Sequence, residues 1–116
     1  MESVLWNTAW RTKPLTQSEI NRAAWQKARA ARARLASRLH EALFIATAEG
    51  ARPRFRQQHA LWKRYAREWL RWQDERFAMG AFRPMYSAVD AEELWTARAE
   101  AVESWINRAR PQFRPV

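Results

Sequence analysis

LWKRYAREWLRWQDERF, Leu61–Phe77, sets four large rings (Trp62, Tyr65, Trp69, Trp72) among five bases (Lys63, Arg64, Arg67, Arg71, Arg76). A plain core segment would carry the rings without so much charge, and a plain solvated face the charge without the rings. Helical periodicity resolves the mixture. At 100° per residue, Phe55, Trp62, Tyr65, Ala66, Trp69, Leu70, Trp72 and Phe77 fall in one broad arc. Lys63, Arg64, Arg67 and Arg71 fall in the opposite arc, with Arg56 at its edge. The two residue types are interleaved in sequence and separated in space, so the stretch reads as an amphipathic helix with a ring face turned mostly to a core. The arc is wider than one neighbouring helix requires. Some rings, Trp72 or the N-terminal pair Trp6 and Trp10, are therefore expected at the surface.

The same period extends in both directions along the chain. Upstream, Ile20, Ala24, Ala28, Ala31, Leu35, Leu39, Ala42 and Ala46 recur at steps of three and four. Thr16 or Ser18 is placed to cap this segment, with Glu19 three residues after Thr16 completing a capping box, and Gly50 stops it. Roughly 30 residues of helix span about 45 Å, long for so small a domain. Downstream, Trp95, Ala99, Val102, Ile106 and Ala109 form a third stripe. Asp90 is placed to cap it, Glu93 to close the box, and Pro111 to end it. No strand-like alternation or hairpin turn signal interrupts the pattern. The expected fold is all-α: a long antiparallel helical hairpin with a third helix packed on it, a small helical bundle in one domain over residues 1–116. The expected boundaries are an arm over 1–15, helices over 16–49, 54–79 and 90–109, and a tail over 110–116. The connector GAFRPMYSAV, with Pro84, separates the second and third helices. Small Ala24, Ala28 and Ala31 of the first helix are expected to face the large rings of the second.

Composition narrows the function. The chain has 116 residues, one domain by length. Cysteine is absent, which removes disulfides and thiol chemistry. The N-terminus lacks a secretory pattern, and the longest clean apolar run, Ala42–Ala46, is far short of a membrane span. A cytoplasmic protein is expected. There are 21 Lys and Arg against 12 Asp and Glu, a net charge of +9, and the bases are overwhelmingly Arg. Arg holds phosphates with a planar fork of donors and stacks on rings. Between Ser18 and Ala48 only Glu19 and Glu41 are acidic, so the bases there have almost no local partners. Like charges three and four apart weaken a free helix, a repulsion that an anion would relieve. Asp90, Glu92, Glu93, Glu100 and Glu103 concentrate negative charge in the third helix, where they suit the helix dipole or a basic partner.

Nothing in the pattern points to an enzyme. His40 and His59 belong to no metal-ligand spacing, and the two Gly form no phosphate loop. No cofactor or metal site is expected. The leading expectation is a non-catalytic protein that binds the nucleic-acid backbone without reading sequence, single strands or RNA being favoured if surface Trp stack on bases. Arg22, Lys27, Arg29, Arg32, Arg34, Arg38, Arg56, Lys63, Arg64, Arg67 and Arg71 are the candidate phosphate contacts. Trp6, Trp10, Trp25, Trp72, Glu92 and Glu93 are the candidate contacts to a protein partner or to another copy of the chain.

In size, charge and helicity the chain resembles the small helical subunits of CRISPR effector complexes. That resemblance implies a place in a ribonucleoprotein assembly, in several copies along the nucleic-acid path. The alternative is a protein-interaction module, such as a viral or mobile-element inhibitor, whose Trp and Arg surfaces bind an acidic protein. Membrane-surface binding is not expected, because the first helix's apolar stripe is mainly Ala, which inserts weakly.

Overall fold

The computed structural model describes residues 15–76 and 83–110, and these form three helices: α1 (Gln17–Ala48), α2 (Arg52–Arg76) and α3 (Arg83–Ala109). The bundle class expected from the sequence is the observed one. At the start of α1 the capping box is complete. The Glu19 N–H donates to Thr16 Oγ1 at 3.1 Å, and the Thr16 N–H donates to Glu19 Oε1 at 2.9 Å. The end of α1 is a Schellman turn. The Gly50 N–H donates to the Thr47 carbonyl at 3.1 Å and the Ala51 N–H to the Ala46 carbonyl at 2.7 Å. This closure needs a positive φ at Gly50, which is +74°, and it leaves only a few residues between α1 and α2.

Helix α3 begins at Arg83, seven residues before the expected Asp90 start. Pro84 does not break it, because a proline in the first turn lacks an N–H that would have had no intrahelical partner anyway. The segment expected as a connector therefore contributes two turns of helix, including buried Ala88. Pro53 sits in the first turn of α2 for the same reason, and α2 starts at Arg52 rather than Arg54.

The chain runs up, down and up, so α1 and α3 are parallel and α2 is antiparallel to both. The register of the parallel pair is fixed at both ends. Ala28 packs with Ala88 and Ala91, and Leu35, Ala42 and Ile45 pack with Ala99, Val102, Ile106 and Ala109. This seam is the most extensive contact in the molecule. Its alanines meet alanines, which lets the two backbones approach. The sequence pattern placed α1's alanines against the rings of α2; the structure gives them to α3 instead. Large side chains hold α2 further off: Phe55 and Trp62 from α2 and Trp95 and Trp105 from α3 pack against the seam while staying half-buried. Phe55 and Trp105 meet at 6.1 Å between ring centroids. Ala66 is the buried residue of α2.

Candidate nucleic-acid interface

Because bulky side chains separate α2 from α1, a groove runs between them. It consists of two adjoining hollows of about 500 and 450 Å³ that share Ala36, Leu39, His59 and Lys63. Arg56, Lys63 and Arg67 stand along the α2 wall. Their spacings of seven and four residues place them about 10 and 6 Å apart along the axis. On the α1 wall Arg32 lines the groove, with its guanidinium 5.6 Å from the centre of the Trp95 ring. Arg29 and Arg22 lie seven and fourteen residues before Ala36, so they extend the same face toward the N-terminus of α1. His59 lies in the floor. Burial, then the charges of Arg98 and Lys63, push its imidazole below the ordinary value, so the neutral form sits there at pH 7. Its Nδ1 is buried without a hydrogen-bond partner among the described residues.

The eleven candidate phosphate contacts separate into groups. Arg22, Lys27, Arg29, Arg32, Arg56, Lys63, Arg64, Arg67 and Arg71 are all exposed and make no ion pair among the described residues. Arg34 and Arg38 differ. Arg34 donates through Nε and Nη2 to both oxygens of Glu103, at 2.9 and 2.5 Å. Arg38 pairs with Glu41 at 2.9 Å and lies 3.9 Å from Glu103. Arg110 closes the set by pairing with Glu41. The Arg34 hydrogen bonds hold the Glu103 carboxyl below its ordinary pKa and raise that of Arg34 itself. Glu103 of α3 thus adds to α1's own Glu41, along the flank that α3 reaches. Lys27, seven residues before Arg34, shares that flank; Arg64 and Arg71 lie outside the groove on the outer side of α2.

The candidate partner contacts are dispersed. Trp25 is half-buried and packs on the Ala28, Ala88 and Ala91 cluster, Trp72 is exposed, Glu92 is half-buried and Glu93 is exposed. Trp6 and Trp10 lie outside the described residues.

Two features escaped the sequence reading. The first is a second cleft of about 680 Å³ between α2 and α3, lined by Arg54, Phe55, Gln58, Arg98 and Trp105 among others. Arg98 is half-buried there, 5.3 Å from the Trp62 ring, and its Nε has no hydrogen-bond partner among the described residues. Burial lowers its pKa, the cost of holding a charge out of water. A lone Arg in a helix gives no sequence signal for this. The second is that Tyr65 and Trp69, placed by the period in the apolar arc, are exposed together with Trp72.

Comparison with known proteins yields no relative: no family model, curated protein or solved structure matches the chain. None of the described helices is long and apolar enough to cross a membrane.

Proposed function

We propose that this chain is a non-catalytic, sequence-neutral nucleic-acid-binding protein of the cytoplasm, and that the α1–α2 groove is where it holds the phosphate backbone. The observation that carries the reading is a row of exposed bases along one continuous groove, Arg56, Lys63 and Arg67 on one wall and Arg32 on the other, with Arg29 on the same α1 face beyond it and no acid paired to them among the described residues. Such a row repels itself, and a polyanion lying in the groove relieves the repulsion and releases its own counterions. Groove walls built of guanidinium and ammonium groups fix a strand's position without reading its bases. His59, in the groove, is held toward its neutral form by burial, so binding rests on the Arg and Lys side chains.

An assembly role follows the same chemistry. Copies arranged along one strand would each cover a short stretch, and the exposed Glu93 and Glu100 of α3 offer a negative surface to a neighbour's basic helices.

The test is a titration of the full chain with fluorescent DNA and RNA at several salt concentrations. The expected result is an association constant that falls log-linearly with salt, by about 0.7–0.9 in slope per phosphate contact. Absence of binding at low salt overturns the proposal and turns attention to an acidic protein as the partner of the basic face.

A further inference from the structure

We infer that Tyr65, Trp69 and Trp72 form a base-stacking platform on the outer face of α2, which makes a single strand, not a duplex, the preferred ligand. The inference rests on the nucleic-acid reading above.

Leu61, Tyr65, Trp69 and Trp72 follow one another at steps of four, four and three, so they share one helix face. That face points away from the bundle. Trp62 and Ala66, which face inward, are half-buried and buried, whereas Tyr65, Trp69 and Trp72 are 54%, 38% and 47% exposed. The rings are ordered against one another. Tyr65 and Trp69 stack with centroids 6.3 Å apart and planes 25° from parallel; Trp69 and Trp72 follow at 5.3 Å and 50°. The Arg76 guanidinium lies 5.0 Å from the centre of the Trp72 ring and continues the row. Between the rings is an open hollow of about 340 Å³ with almost wholly apolar walls. Three adjacent large rings left in water are an unusual surface for a folded domain.

Charge identifies the occupant. Arg64 and Arg71 stand exposed on the outer side of α2, between the ring face and the groove bases Lys63 and Arg67, and neither is in an ion pair among the described residues. A ligand that offers flat apolar groups at regular intervals beside a run of negative charge matches both features, and a single-stranded nucleic acid has that form. Ring spacings of four and three residues correspond to about 6 and 4.5 Å along the axis. A strand whose bases are free to unstack can meet that interval, whereas a duplex keeps its bases inside. Glu68, the one carboxylate lining the hollow, stands one turn from both Arg64 and Arg71, and the bases lie over the rings with the backbone on the arginine side. Every base has a flat face, so stacking adds affinity without sequence preference, in keeping with the backbone-holding groove.

The experiment compares an oligothymidylate of about twenty nucleotides with a duplex of equal length, each titrated into the full chain at fixed moderate salt. The single strand is expected to bind at least tenfold more tightly. Trp69→Ala and Trp72→Ala are each expected to weaken single-strand binding by roughly tenfold and to leave duplex binding unchanged. Trp69→Phe and Trp72→Phe keep a flat ring and should retain most of the affinity. Phe44→Ala, at a ring 77% exposed on α1 and away from the ladder, should have no effect. The unmodified chain supplies a readout independent of any variant's stability: the indole N–H resonances of Trp69 and Trp72 should shift when the oligothymidylate is added.

Equal affinity for the two ligands, with both alanine variants binding like the parent and the indole signals unmoved, overturns the platform while leaving the phosphate groove standing. Loss of self-association in the alanine variants, with oligothymidylate affinity unchanged, assigns the rings to a protein contact and also overturns it. Failure of the parent chain to bind either ligand at low salt removes the nucleic-acid reading and the platform with it.

Discussion

The two flanks of α1 begin alike and end differently. Both carry rows of arginine. On the α3 flank alanines bring the helices together, and Glu103 and Glu41 take up Arg34, Arg38 and Arg110. On the α2 flank large rings hold the helices apart, and Arg29, Arg32, Arg56, Lys63 and Arg67 have no acid to meet. The amount of positive charge is therefore a poor guide to where an anion binds. What matters is whether the neighbouring helix supplies carboxylates. One flank is a closed seam, and the other is an open groove with its charge unspent.

That contrast can be broken at several points. The seam is where stability is concentrated, so Ile106→Ala, at a side chain 2% exposed, is expected to have the largest effect, about 3 kcal/mol lost in urea unfolding, with nucleic-acid binding unchanged while the protein stays folded. On the groove side, Arg56→Gln, Lys63→Gln and Arg67→Gln together should do the reverse. Nucleic-acid affinity at low salt should fall on the order of tenfold to a hundredfold, the salt slope should drop by about 2, and the unfolding midpoint should hold or rise. Arg34→Gln, on the sealed flank, should leave the salt slope as it is, and a slope that drops as it does for the groove variants would erase the distinction. At the turn joining the two walls, Gly50→Ala meets no steric obstacle but forces a side chain into φ +74°, so a loss of about 1 kcal/mol is expected in the same unfolding measurement.

The smallest effect concerns the far end of α2. Asp74 accepts from Arg83 and from Ser87, and these hydrogen bonds hold its pKa at about 2, below the ordinary 3.8. A depressed carboxyl stabilises the fold above its unfolded value and loses that contribution as the pH falls through the folded one. The loss should appear between about pH 4 and 2. Because the pair is exposed, solvent screens it and the expected change in unfolding midpoint is slight. Asp74→Asn should flatten the midpoint over that interval, and an unchanged slope would rule the contact out as a source of acid sensitivity.

Local signals were the readable ones. The Thr16–Glu19 box and Gly50 mark the ends of α1 because each works within a single turn of chain. The start of α3 was hidden because proline looks like a stop unless its place in the first turn is known. The alanines of α1 announced a close contact but not with which helix, since a stripe of apolar positions carries no address. The basic face of α2 could be read from its period. The neutralisation of Arg34 could not, because its carboxylate is 69 positions away in Glu103, whereas Arg38 meets Glu41 within one turn of its own helix. Tyr65 and Trp69 fell within the apolar arc, yet only its inner part, near Trp62 and Ala66, has a helix to cover it.

The parallel pairing of α1 with α3 also governs how the chain reaches its fold. The hairpin of α1 and α2 is local and its three-residue link closes quickly, but α1 buries its apolar stripe against α3 rather than against α2. The contacts that commit the structure join positions such as 34 with 103 and 41 with 110, so a long loop must close before they form. On a ribosome, the first two helices would emerge and wait as a loosely held pair, their alanine stripe still wet, until the last helix came back along the first.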